Sequence, residues 1–329
     1  MFPPLGYDLT AVYGYWMANQ RRYRLRWVDV FTERPLLGNP LAVVLEADGL
    51  SDIEMQAIAR ETNLSETTFV LPPQTRGHAA KVRIFTPHVE LPFAGHPTVG
   101  TGWVLIDEGL VGSDAAAFTL EEGVGPISVR IDRGGTSLVL WMSHPPVKFG
   151  EVIEEREEMA AALGLTAADL QPNVPVQVAS TGAPFVYVAL KDAASVDRAV
   201  SRGDALTFVL GPHGSPPVFL FAVVAPNRLY SRMFGIHSAT GIAEDPATGS
   251  ASGPLGAMAV RYGLVPRAAQ VAIISEQGTK MGRQSVIHIA LEYATGAELP
   301  SRIEVGGSVI PVMTAELSVS GSAVSGRAR

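Results

Sequence analysis

Glu66, His96 and Asp245 are the residues of this chain whose types and surroundings suit proton transfer. Glu66 stands in Asn63-Leu64-Ser65-Glu66-Thr67-Thr68-Phe69, at a predicted helix-to-strand junction among small hydroxyls and apolar side chains. A carboxylate partly buried there has a raised pKa and suits giving and taking protons near neutral pH. The same spacing also fits a surface Glu beside Ser and Thr caps. His96 follows Gly95 at a predicted helix start, where an imidazole is held neutral and donates or accepts one hydrogen bond. By itself it also fits a satisfied structural histidine. Asp245, before Pro246, is equally well placed as a plain N-cap. Ser250 either donates to an anion or simply begins a helix.

These residues lie in two similar stretches, Phe93-Ala94-Gly95-His96-Pro97-Thr98-Val99-Gly100 and Glu244-Asp245-Pro246-Ala247-Thr248-Gly249-Ser250-Ala251. Each follows a strand-like run ending in Arg-x-Phe (Arg83-Ile84-Phe85 and Arg232-Met233-Phe234) and precedes an apolar run of helical character. From Arg83 to His96 and from Arg232 to Asp245 the spacing is thirteen residues in both cases. A second register pairs Gly95-His96 with Gly249-Ser250, and the sequence leaves both open. Either way the pattern reads as a degenerate internal duplication. The first turn of a helix carries unpaired N–H groups and the positive end of the backbone dipole. Gly95 and Gly249 let a ligand approach that backbone closely. Two such ends facing each other would bind a carboxylate.

Composition narrows the function classes. The 329-residue chain is long for one core and comfortable for two domains. A net charge of −7 argues against a nucleic-acid partner. No apolar run is long enough to cross a bilayer, and no basic-then-apolar leader opens the chain, which predicts no membrane association and a cytoplasmic protein. With no cysteine, disulfides, thiolate catalysis and Cys-ligated metals are excluded. Gly249-Ser250-Ala251-Ser252-Gly253 is not a nucleophile elbow, because Ala251 holds its centre. Gly100-Thr101-Gly102 lacks the context of a dinucleotide fingerprint, and His78, His88, His144, His213, His237 and His288 show no ligand spacing. No metal and no cofactor are therefore expected. Acid–base chemistry on a small molecule remains.

The elements that must position these groups are mostly short strands. The pattern predicts strands over 23–31, 41–45, 67–71, 81–86, 117–120, 127–131 and 138–142, and then over 174–180, 185–190, 218–224, 229–234, 271–275, 286–292, 301–305 and 309–317. Leu37-Gly38-Asn39-Pro40 reads as a turn. Helices are predicted over 51–61, with Ser51 and Glu54 spaced as a capping box, and over 97–107, 154–163, 193–201 and 250–262. Too many strands follow one another without a crossover helix for a doubly wound parallel fold. The expected fold class is α+β: two pseudo-symmetric domains, each a mostly antiparallel, barrel-like curled sheet around a central helix. The expected boundaries are an extension over 1–22, domains over 23–143 and 144–317 with the last strand returning to the first domain, and a mobile tail over 318–329.

DVFTERPLLGNPLAVVLEADGLSDIEMQAIARETNLSETTFVLPP, RIFTPHVELPFAGHPTVGT and SRMF…EDPATGSASGPLG resemble the phenazine-biosynthesis F-like family, whose members have the diaminopimelate epimerase-like fold. The resemblance runs from about Tyr23 to about Leu317. It implies a homodimer with the active site between the two domains of each chain. It also implies that Glu66 carries the proton, while His96, Asp245 and Ser250 and the backbone of Gly95 and Gly249 orient the substrate and hold its carboxylate. Epimerases of this fold that use two opposed thiols are excluded, since Ala94 and Thr248 stand roughly where the thiols would be. The expected function is a cofactor-independent isomerase moving a proton within a small carboxylate-bearing metabolite. The alternatives are a non-catalytic carboxylate-binding protein on the same scaffold, or a lyase or hydrolase using Asp245 and His96.

Overall fold

Short apolar runs, some alternating with polar side chains and some buried throughout, form seventeen strands among the described residues, and the largely apolar stretches after Ala94 and Thr248 form buried helices. The computed structural model describes residues 20–236 and 242–320. The first nineteen residues of the expected extension, the tail beyond Ser320 and His237 lie outside the described residues.

The first part of the chain forms β1 (Gln20–Val30), β2 (Asn39–Val44), α1 (Asp52–Thr62), β3 (Glu66–Leu71), β4 (Ala80–Phe85), β5 (Glu90–Leu91), α2 (Gly95–Asp107), β6 (Ala117–Glu122), β7 (Gly125–Asp132) and β8 (Val139–Ser143). There follow β9 (Lys148–Ile153), α3 (Arg156–Ala162), β10 (Val176–Ser180), β11 (Pro184–Ala189), α4 (Ala193–Arg198), α5 (Gly203–Leu210), β12 (Val218–Ala225), β13 (Arg228–Phe234), β14 (Glu244–Asp245), α6 (Gly249–Arg261), β15 (Gln270–Gln277), β16 (Ser285–Glu292) and β17 (Arg302–Ser320). The result is a sheet-dominated α+β architecture in which seventeen strands form one hydrogen-bonded network.

The same order of pairings occurs twice. β1–β2 is antiparallel, β2–β3 parallel, β3–β4 antiparallel, β4–β6 parallel, and β6–β7 and β7–β8 antiparallel. β10–β11, β11–β12, β12–β13, β13–β15, β15–β16 and β16–β17 repeat those orientations in that order. α2 packs on β1, β2, β3, β8 and β17, and α6 on β10, β11, β16 and β17. Each of these helices sits in its own apolar cluster, with Val99, Val104 and Leu105 in one and Leu255, Met258 and Val260 in the other. α1 covers a separate cluster around Phe69 and Phe85, and α3 to α5 cover another around Val186 and Leu220.

The repeat settles the register. Arg83 clamps Glu90 through Nε and Nη2, both at 2.7 Å, with its guanidinium 5.0 Å from the Phe85 ring centroid. Arg232 clamps Glu244 at 2.8 and 2.9 Å, with its guanidinium 4.6 Å from the Phe234 centroid. β4 pairs with β5 and β13 with β14, and four residues after Leu91 and Asp245 come Gly95 and Gly249 as first residues of thirteen-residue helices. His96 therefore matches Ser250, as in the second register.

Several element boundaries differ from the sequence pattern. β1 begins at Gln20 and β17 runs unbroken to Ser320, so residues 20–22 and 318–320 pair with one another rather than forming an extension and a tail. Charged side chains hid this pairing; Arg22 meets Glu316 at 2.9 Å across the two strands. The expected helix over 154–163 is shorter (α3), and β9 precedes it. The expected helix over 193–201 ends at Arg198 (α4), and a further helix that was not expected, α5, follows it.

Candidate active site

α1 delivers Glu66. Ser51 N donates to Glu54 Oε2 at 2.8 Å and the Ser51 hydroxyl caps the Glu54 N–H, so the helix starts at a defined residue. Asn63 ends it in the left-handed conformation at φ 51°. The chain reverses there and Glu66 becomes the first residue of β3, opposite Leu41 of β2. Glu66 is 7% exposed, and its Oε2 has no hydrogen-bond partner.

α2 and α6 start against each other. A Cβ placed on Gly95 would lie 2.7 Å from Ser250 N and 2.8 Å from Gly249 C. Two positive backbone ends are thus within van der Waals reach, which only a residue without Cβ at position 95 permits. His96 and Ser250, each second in its helix, flank the junction.

Asn39 holds the two sides together. Its Nδ2 donates to Asp245 Oδ1 at 2.7 Å and to the Ala247 carbonyl at 3.0 Å, and lies 3.2 Å from His96 Nδ1. The Ser65 hydroxyl donates to Asn39 Oδ1 at 3.1 Å. The second oxygen of Asp245 accepts from the Thr248 hydroxyl at 2.6 Å, and Gln277 braces Thr248 through its backbone N–H and its hydroxyl. His96 Nε2 makes no hydrogen bond of good geometry.

Electrostatics follow from burial. Desolvation, and then the Asp245 charge, push the Glu66 pKa up to about 8. Asp245 is also raised, chiefly by desolvation and against the pull of its Thr248 and Asn39 hydrogen bonds. Burial raises both carboxyls, and they titrate as an interacting pair. Burial lowers His96 to about 3, against a smaller opposing effect of the Pro40 carbonyl, so it stays neutral. Its Nδ1 is 3.6 Å from Glu66 Oε2.

Glu66, Ala94, Asp245, Thr248 and Ser250 line one cavity of about 780 Å³. All six residues singled out from sequence therefore converge: Glu66, Asp245 and Ser250 on the cavity wall, and Gly95, His96 and Gly249 in the packed junction behind it. Asn39 and Gln277 were not singled out. Asn39 read as a turn residue, and its partners Asp245 and Ala247 lie more than two hundred positions away. Among the described residues no cluster of His, Asp and Glu has the grouping of a metal site, and no helix is long and apolar enough to cross a membrane.

A third buried carboxyl supports the α2 start. The Thr98 hydroxyl donates to Glu122 Oε1 at 2.6 Å and reaches the Ala94 carbonyl at 2.8 Å. Burial raises the Glu122 pKa to about 8. A carboxyl whose folded pKa lies above its unfolded value adds stability that is complete below the unfolded value, here about 4.5, and is lost as pH rises toward 8. Glu122→Gln removes that loss. The variant should match the parent near pH 4.5 and exceed it at pH 8 by on the order of 2 kcal/mol, or about 4–8 °C in Tm. Thermal melts of both proteins across that range measure the difference. Equal melting temperatures at pH 8 would mean that Glu122 is ionised without penalty.

Comparison with known proteins gives one consistent result. The family model described as phenazine biosynthesis-like protein matches residues 28–315. An uncharacterized isomerase of Clostridium acetobutylicum is 32% identical over 303 residues, covering 90% of this chain and 98% of its own. The trans-2,3-dihydro-3-hydroxyanthranilate isomerase of Pseudomonas aeruginosa is 36% identical over 282 residues, covering 85% and 94%. A Bacillus anthracis phenazine biosynthesis protein of the PhzF family superposes with a TM-score of 0.82 at 28% identity, covering 91% of this chain and all of that one.

Proposed function

Because the chain belongs to the phenazine biosynthesis-like protein family, we propose that it moves a proton within a small carboxylate-bearing metabolite without a cofactor, Glu66 acting as base and then as acid. The chain is an isomerase of that family. Its twice-repeated pairing order and twin central helices favour two pseudo-symmetric domains of the diaminopimelate epimerase-like kind, with the site between them.

One observation carries the mechanism: Glu66, a buried carboxyl with a raised pKa, lines the same cavity as Ala94, Thr248 and Ser250 at two abutting helix starts. The helix starts suit the carboxylate of the substrate. The Glu66 carboxylate takes a proton from one carbon, and the electron pair delocalises toward the bound carboxylate or an adjoining double bond. The same carboxyl returns the proton to another carbon on the same face. A pKa near the working pH lets one group do both. A two-thiol racemase is excluded, since the chain has no cysteine and the helix N-caps are Ala94 and Thr248.

The lyase or hydrolase alternative asks Asp245 and His96 to do the chemistry. Both Asp245 oxygens are already engaged, by Asn39 and by Thr248, and His96 is too buried to gain a proton. These bonds favour positioning roles for both. The test is incubation with a panel of unsaturated carboxylates in heavy water, read by mass spectrometry. Deuterium should appear in recovered substrate and product. Tight binding with no exchange for any bound acid would leave only a carboxylate-binding protein.

A further inference from the structure

We propose that the substrate of this site is a monocarboxylate with a bulky, uncharged and largely apolar body, selected by a wall that includes Val124, Val178, Ala183, Phe185 and Pro217. The inference rests on the reading of the Glu66 site as one that handles a carboxylate. The wall is built from separate elements: the β6–β7 turn, β10, the β10–β11 turn, β11 and the loop before β12.

Size is the first argument. At the roughly 30 Å³ that a water occupies in the liquid, a cavity of about 780 Å³ has room for some 25 water-sized groups. A carboxylate on one six-membered ring has about nine heavy atoms and would leave more than half of that space unfilled. The volume lies in the upper part of the range of sites that enclose drug-sized ligands, about 300–1,000 Å³.

Charge is the second. No Lys or Arg lines the cavity among the described residues. Among the described residues His213 is the remaining side chain there that can become cationic, and its Nδ1 lies 2.8 Å from Glu151 Oε1. A phosphate or a second carboxylate would enter with no Lys or Arg among the described residues to receive it, while Glu66, Asp245 and Glu151 present acidic groups. The helix starts at Gly95 and Gly249 supply positive potential for one anion.

The third is an exposed apolar side chain. Val124 stands between Gly123 and Gly125 at a hairpin tip, 59% exposed, and lines the cavity. Nothing in the folding of that turn requires a valine. A ligand with an apolar body would cover it and the wall beyond, taking apolar surface out of water on both sides.

The experiment is isothermal calorimetry on the full chain with four probes: cyclohexanecarboxylate, 4-phenylcyclohexanecarboxylate, cyclohexane-1,4-dicarboxylate and 4-phenylcyclohexylmethanol. The phenyl-extended acid should bind at least tenfold more tightly than the short acid, and the dicarboxylate more weakly than either. Val124→Asp should remove most of that gain and leave the short acid unchanged. Ala183→Asp, at an exposed turn residue of the same wall, should do the same and guards against a folding defect in the first variant. Equal affinity for the short and extended acids, tightest binding of the dicarboxylate, or a gain untouched by both variants would overturn the apolar-body inference while leaving the carboxylate reading intact. If the neutral alcohol binds as tightly as its acid counterpart, the carboxylate reading itself falls, and this inference with it.

Discussion

Glu66→Gln is expected to lower turnover by at least about a thousandfold while changing the affinity for a carboxylate less than about threefold. General acid–base catalysis by one positioned group contributes about 10²–10⁴ in rate, and here one group performs both transfers. Gln fills the same volume and keeps one acceptor, so the fold has little reason to respond. It cannot lose or gain the proton. The pH dependence of the parent carries a matching signature. Glu66 must be ionised to accept a proton from carbon, so kcat/KM falls as pH drops through the raised pKa of the Glu66–Asp245 pair. That acid limb should lie well above the ordinary glutamate value of about 4.3. Solvent-deuterium uptake, measured beside calorimetry on the same variant, separates chemistry from binding. Turnover of Glu66→Gln within tenfold of the parent would remove Glu66 from the mechanism.

What the sequence made readable and what it hid divide along physical lines. The capping box of Ser51 and Glu54 is local, and α1 starts where the motif puts it. The buried helices were readable because apolar content on all faces has one common explanation, burial on all sides, and α2 and α6 are sheathed by strands. α5 was hidden, since its N-cap Arg202 makes no side-chain cap bond and Phe208 sits exposed on its surface, blurring the apolar period. β9 was hidden by a mostly exposed KFGEVI run whose strand character comes from pairing with β10. The thirteen-residue coincidence between the two halves pointed to the less apt register. Glu244 follows Phe234 by ten residues while Glu90 follows Phe85 by five, so the extra residues moved Asp245 opposite His96 in a count along the chain. Asn39 could not be found by spacing, because its importance is entirely tertiary. The identity of Glu66 was visible, but its burial is a property of the assembled cleft.

Gly95→Ala is expected to cost far more than the same change at Gly249, although the two glycines hold matching places in matching helices. The backbone of neither lies in the left-handed region, and Ala is a better helix former than Gly by about 1 kcal/mol. Local propensity therefore predicts a small gain in stability at both positions. Contacts decide otherwise at Gly95. The new methyl would sit 2.7, 2.8 and 2.9 Å from Ser250 N, Gly249 C and Gly249 Cα, all of them backbone atoms at the start of a packed helix. Carbon contacts relax near 3.5–4.0 Å, so α2 and α6 must part by something approaching 1 Å. Overpacking of this kind costs about 1–3 kcal/mol of stability, and a displacement of about 1 Å near reacting groups costs about a hundredfold in rate. A methyl on Gly249 instead meets Gly95 Cα and Phe31 Cζ at 3.2 Å, contacts about 0.5 Å longer than the shortest one at Gly95. Gly249→Ala should lose less than about fivefold. Exchange rates and melting temperatures of the two variants, compared side by side, test the claim that one close backbone approach sets the geometry of the site. Equal losses, or a harmless Gly95→Ala, would show that the two helix starts are free to separate without consequence.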